Sequence, residues 1–283
     1  LIYRDKGDLN QAAEYFKKAL KISKEIGYLH GQASSIGNIG LIFNDKGNFS
    51  SALNYFKQAL NISKKIGYAE GQVNLLENIG QISCYKGDFE QAQKYFEQAL
   101  KIATQIGYKQ GQAIQNEKIG KIHFWQGNLE QANIFFDIAL KISKSISFLR
   151  GHANQLGNIG NIFYANNNYK QALKLFNEAL KLSKQSEYSR GQANQLSNIG
   201  KVMLAEKNYE KAVKYHYQAL DIFKKTGFVI GQCEQFENIG CIFYEKKDLA
   251  QALIYCNRAL EISKETGFLM KQASQLGIIG LIY

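Results

Sequence analysis

Several residue sets in this chain have types and spacing that could do chemistry. Gly37-Asn38-Ile39-Gly40 places two glycines three apart, and such a pair lets backbone N–H groups cradle a phosphate when it lies in a loop leading into a helix. Glu77, Glu117 and Glu237 recur at whole multiples of one spacing and could serve as paired acid and base. Four histidines (His30, His123, His152 and His216) and four cysteines (Cys84, Cys233, Cys241 and Cys256) could ligate a metal. None of these sets holds up as a site. The histidines are scattered over different segments, and the cysteines show no CxxC spacing, whereas a metal needs several ligands converging. No Ser–His–Asp or Cys–His arrangement follows from the spacing. The chain reads as non-catalytic, without cofactor or metal.

The elements that would position these residues repeat without a slip. Gly40 returns at Gly80, Gly120, Gly160, Gly200, Gly240 and Gly280, and Ala52, Ala59 and Leu60 recur in the same register of 40 residues. Such strict periodicity marks a repeat array. Each unit carries two helical stripes, one through Ala33, Ile36, Ile39, Gly40 and Phe43, the other through Phe49, Ala52, Tyr55, Phe56, Ala59, Leu60 and Ile62. The spacing predicts helices over about 30–46 and 48–66 in every unit. Gly47 stands where a left-handed helix end favours glycine. Asp or Asn follows it in every unit, with Gln three residues on in five of seven, as in a capping box. The Gly37–Gly40 stretch therefore lies inside a helix, where its N–H groups are already bonded four residues back. Gly37 does not recur in every unit: Gly157 and Gly277 match it, whereas Glu77, Glu117, Ser197 and Glu237 do not. Gly40 recurs because a neighbouring helix crosses there. The three glutamates fall on one helical face about 10 Å apart in neighbouring units, too far for a catalytic pair.

The order Ile36-x2-Ile39-Gly40-x2-Phe43, followed by Ala52-x3-Phe56 and Ala59, resembles the tetratricopeptide signature over the whole chain. Two features depart from that signature. Lys64 stands where the family places its closing proline, and the unit has 40 residues rather than about 34. The longer, proline-free unit is similar to the repeats of the Leu-Gly-Asn spindle-orientation adaptors, whose motif matches Asn158–Asn161, and to those of kinesin light chains and prokaryotic regulators. The resemblance implies an all-α fold: a right-handed α-α superhelix with first helices lining a concave face, second helices outside and peptides held in the groove. Residues 1–283 are expected to form a single array of about seven units, truncated inside a first helix at both ends. The absence of an initiating Met points the same way. Leu1-Ile2-Tyr3 matches Leu281-Ile282-Tyr283 in register, so end-to-end self-association is an expectation.

With 283 residues, a net charge of +11 and 45% hydrophobic residues, the chain is neither disordered nor, lacking a long apolar run, membrane-spanning. Unpaired thiols suit a cytoplasmic compartment. The positive charge raises nucleic acid as a partner, but its lysines, such as Lys17, Lys18, Lys21 and Lys24, lie on the outer arc of the second helices. The concave face sets Asp45, Glu77, Glu117, Glu234, Glu237 and Glu245 against Lys118, Lys121 and Lys201. A single-strand binder wants a basic groove with stacking aromatics, so nucleic acid is disfavoured. Asn38, Asn78, Asn158, Asn198 and Asn238 form a ladder interrupted by Lys118 and Ile278. Primary amides both donate and accept, so such a ladder could hold a peptide backbone, or it could bond locally within its own superhelix. Gln81, Asn161 and Lys201 would add side contacts, and Lys118 and Lys121 would favour a carboxylate. Tyr85 and Trp125, one unit apart, would either grip an apolar residue or pack across the seam between units. The expected function is a protein–protein interaction scaffold. The alternatives are a self-associating array or a sensor module of a larger regulator.

Overall fold

The 40-residue unit divides into two helices of 17 residues, each followed by a three-residue turn. The computed structural model describes residues 9–283. In chain order the helices are α1 (Leu9–Glu25), α2 (Leu29–Asp45), α3 (Phe49–Lys65), α4 (Ala69–Tyr85), α5 (Phe89–Gln105), α6 (Lys109–Trp125) and α7 (Leu129–Ser145). They continue as α8 (Leu149–Ala165), α9 (Tyr169–Gln185), α10 (Ser189–Ala205), α11 (Tyr209–Lys225), α12 (Val229–Glu245), α13 (Leu249–Thr266) and α14 (Leu269–Ile282). Among the described residues there is no strand. Even-numbered helices are first helices and odd-numbered ones second helices, each packed on its sequence neighbours. The fold is the expected all-α superhelix. The tail of a first helix expected over residues 1–6, and the match of Leu1–Tyr3 to the C-terminus, lie outside the described residues.

Local chemistry sets every turn. Gly47 adopts φ +77°, which lets the N–H of Asn48 reach back to the carbonyl of Phe43 at 2.8 Å and that of Gly47 to Asn44 at 3.0 Å, closing α2. Asn48 then accepts the N–H of Ser51 at 3.0 Å to open α3. Asp88, Asn168, Asn208 and Asp248 do the same, whereas the Asn128 side chain makes no such bond. Ser147 and Glu187, which replace glycine in the other turn, still adopt left-handed φ of 53° and 51°. The first helices begin differently. An aromatic residue such as Tyr68 or Tyr108 precedes them, and its ring folds over the glycine three residues on, where a Cβ would collide with it. The next residue is usually Gln, and its amide adds a second donor to a carbonyl near the end of the preceding helix that already accepts the N–H of the aromatic residue: Gln32 to Ser23 at 3.1 Å, Gln112 to Ala103 at 3.2 Å and Gln272 to Ser263 at 2.8 Å.

The core repeats as faithfully. A Cβ on Gly40 would stand 2.7 Å from Cε1 of Phe56, and Gly80, Gly120 and Gly160 meet Phe96, Phe136 and Phe176 in the same way. Here glycine is required by close approach of the two helices of one unit. His216 and Cys256 take the place of phenylalanine against Gly200 and Gly240. His216 is fully buried and bonds the Gln235 amide at 2.9 Å, while His123 stacks on Phe135. Both are packing residues.

The array also meets itself. Phe49 and Tyr85, from the second and third units, pack in one hydrophobic cluster with Ile230 and Phe268, about five units further on.

Candidate functional site

The concave face is carried by the first helices, whose opposite faces are pinned on the second helices through Gly40 and its equivalents. Its polar side chains bond to one another across the seams between units. Lys118 reaches back to Gln81 Oε1 at 2.8 Å and to Glu77 at 3.6 Å. Lys121 pairs with Glu117 at 2.5 Å, and Glu117 also accepts from Gln155 at 2.9 Å and Asn154 at 3.3 Å. Near the C-terminus Glu237 takes Lys271 at 2.5 Å and Ser274 at 2.6 Å. Burial raises the Glu77 carboxyl above its ordinary value, helped by Glu117 and opposed by Lys118. Burial pushes Glu117 the same way, but Lys121 and Lys118 outweigh it and hold that carboxyl below the ordinary value. Lys118 and Lys121, expected to favour a carboxylate, each already face a glutamate of this chain.

The asparagine ladder is partly engaged. Asn78 donates to the carbonyl of Asn74 at 2.7 Å, a bond within its own helix. Asn158 and Asn198 donate to Gln155 and Gln195 at 3.3 and 3.4 Å, and Asn238 to Ser197 Oγ at 3.5 Å. Asn38 and Asn161 are partly buried on α2 and α8. Lys201 is partly buried on α10, and burial lowers its ammonium below the ordinary lysine value.

Tyr85 and Trp125 are not brought together. Each packs on the first residue of a second helix in the preceding unit, Tyr85 on Phe49 at 5.0 Å and Trp125 on Phe89 at 5.7 Å between ring centroids. Their surroundings then differ. Phe268 also lies 5.1 Å from Tyr85, and burial pushes the phenol up to about 12. Trp125 stays 48% exposed.

One row escaped the sequence reading. Gln115, Gln155, Gln195, Gln235 and Gln275 are all buried and recur in one register. Gln155 and Gln195 orient the ladder asparagines, and Gln235 holds His216. Their strict recurrence was the available signal. It went unread because glutamine is abundant on the exposed arcs too.

Among the described residues no three His, Cys, Asp or Glu side chains could share a metal ion. The cysteines are free. Burial pushes Cys84 and Cys241 up to about 11 and Cys233 and Cys256 to about 12, so none forms appreciable thiolate near neutral pH.

Comparison with known proteins agrees with this geometry. The tetratricopeptide repeat profile matches residues 1–65, 112–185, 151–225 and 191–265, and a second profile of the same description matches 73–105. The chain belongs to the tetratricopeptide repeat family. No curated protein matches it in sequence. Solved structures share its fold. The Rap conjugation gene regulator of plasmid pLS20, in complex with the Phr* peptide, superposes with a TM-score of 0.74 at 18% identity, over 93% of this chain and 71% of that one. NprR in complex with its cognate peptide NprX gives 0.70 at 16% identity, over 95% and 83%. A signal-transduction ATPase with a tetratricopeptide repeat sensor from Pyrococcus horikoshii gives 0.56 at 17% identity. This chain spans 99% of its own length there but 42% of that protein.

Proposed function

We propose that residues 1–283 form one repeat array that acts as a non-catalytic, cytoplasmic interaction scaffold and holds a peptide segment of a partner protein along its concave face. The observation that carries the reading is the oriented amide ladder. Asn158, Asn198 and Asn238 each donate one N–H to a neighbour, which fixes the amide plane and leaves Oδ1 to accept from a peptide N–H. Asn38 and Asn78 extend the row, Gln81, Asn161 and Lys201 flank it, and Lys118 and Lys121 reach a ligand only by exchanging their glutamates. Trp125, with about half its surface exposed, supplies the apolar anchor, and Tyr85 supplies a second where the Phe268 side is vacated. Peptides held by the structurally similar Rap regulator and NprR support the choice of ligand class. The similarity to a sensor-bearing ATPase supports a second reading, in which this array senses for an attached effector.

The test is a peptide-array screen with two variants. One replaces Asn158, Asn198, Asn238 and Trp125 by Ala; the other replaces Lys17, Lys18, Lys21 and Lys24 on the outer arc. Each lost amide contact removes about 1 kcal/mol, so the first variant should lose captured peptides many-fold while the second keeps them. Retention by the concave variant and loss by the outer one would show the basic arc to be the working surface.

A further inference from the structure

We infer that the contact between the second unit and the last two units is a clasp that closes the superhelix into a ring and sets its curvature. Its centre is an ion pair between residues 145 apart in the chain, with Arg190 donating from Nη2 to Asp45 Oδ1 at 2.7 Å. Asp45 is completely buried and is the last residue of α2. A carboxylate is disfavoured there twice, by burial and by the negative end of the helix dipole. The equivalent position elsewhere holds Asp5, Tyr85, Trp125, Ala165, Ala205 or Glu245, so unit packing accepts an aromatic residue or alanine there as well as an acid. The Arg190 guanidinium compensates, and it is itself held 4.0 Å over the Phe228 ring.

The rest of the contact is apolar and tightly fitted. Phe49 meets Phe268 edge-on at 6.5 Å, and Tyr85 lies against both. Ile230 and Phe268 are buried in this cluster. Gly47 contributes by having no side chain: a Cβ there would stand 2.8 Å from Cβ of Thr266. Gly127, at the same turn two units later with φ +80°, has open space around it. A cleft of about 610 Å³ runs along the contact, with Lys46 and Lys86 on one wall and Lys264 on the other. All three lysines are exposed, but Lys46 is turned onto Asn10 Oδ1 at 2.7 Å and Glu265 lines the same cleft. The clasp is thus a charge pair with a fully buried carboxylate, joined to an aromatic cluster.

The test is small-angle scattering on the chain, with light scattering to fix the monomer and circular dichroism to confirm helix content. A compact chain of this length has a radius of gyration of about 19 Å, and Asp45→Arg or Arg190→Asp should raise the observed radius by roughly a tenth or more with helicity unchanged. The double swap Asp45→Arg/Arg190→Asp should restore it, and the isosteric Asp45→Asn should open the ring without adding bulk. Arg150→Asp, one unit before Arg190 in the same register, should change nothing. Added salt screens exposed charges more than the buried pair, so the wild-type ring should stay closed. Single variants as compact as wild type, a double swap as open as the singles, or loosening by salt would each overturn the clasp. Compactness found only in a dimer would place the contact between copies and overturn it as well.

Discussion

Replacing Gly80 by Ala sets two known effects against each other. In a helix interior the change ordinarily stabilises by about 0.8–1.0 kcal/mol, because glycine loses more backbone entropy on folding. Here the new Cβ would stand 2.6 Å from Cε1, 3.0 Å from Cδ1 and 3.1 Å from Cζ of Phe96. Carbon atoms prefer about 3.5–4.0 Å, so the ring must retreat by several tenths of an ångström or more. It has nowhere to go: Phe96 is fully buried and packed with Cys84, Ala92, Ile119 and Ile122. Overpacking of this kind costs about 1–3 kcal/mol. The net expectation is a loss of up to about 2 kcal/mol, opposite in sign to the propensity gain. Gly277→Ala is the control, because nothing lies within 4 Å of its Cβ position, and there the gain of about 1 kcal/mol should survive. Phe96→Leu in the Gly80→Ala background should recover part of the loss, since the two side chains contend for one space. Urea unfolding followed by circular dichroism, with hydrogen exchange to locate the affected unit, measures all three. Exchange is needed because repeat arrays open unit by unit. If Gly80→Ala raises the unfolding midpoint as Gly277→Ala does, close helix approach is not why glycine stands in that register.

The remaining predictions concern caps and acid. Asp88→Ala should cost about 0.5–2 kcal/mol because its carboxylate accepts the Gln91 N–H at 3.0 Å. Asn128→Ala, whose side chain makes no capping bond, should cost clearly less in the same melts. Burial lowers His216 to about 4 from 6.5, so below 6.5 the unfolded chain binds more protons than the folded one. Stability is then full above 6.5 and falls with pH down to about 4, by up to about 3 kcal/mol. His216→Phe, the residue type that meets glycine at Phe56, Phe96, Phe136 and Phe176, should flatten most of that slope in melts between pH 4 and 7. A smaller part should persist from His152, which is also lowered by burial and by Lys144.

What was legible in the sequence is what each unit decides for itself. Asn48, Gly47 and the Gly40–Phe56 approach act within about 20 residues, so their recurrence carries enough information to place α2 and α3 to within a residue. The clasp is of another kind. Asp45 and Arg190 meet because small rotations between successive units accumulate over about four units, and no periodicity in the sequence reports that sum. The two aromatic positions show the consequence. Tyr85 and Trp125 share a register and the same local packing on Phe49 and Phe89, so sequence reasoning treats them as a pair. Curvature separates them, bringing Phe268 over Tyr85 and leaving Trp125 half exposed. The same logic governs the polar face. Lys118 looked available because Glu77 stands one unit back, and only the inter-unit geometry brings those charges within 4 Å, whereas Lys121 meets Glu117 within one turn of its own helix. Ligand specificity on such a face depends on which side chains the ring leaves unengaged. A single change at Asp45 or Arg190, touching no ligand, should therefore alter what the concave face can hold.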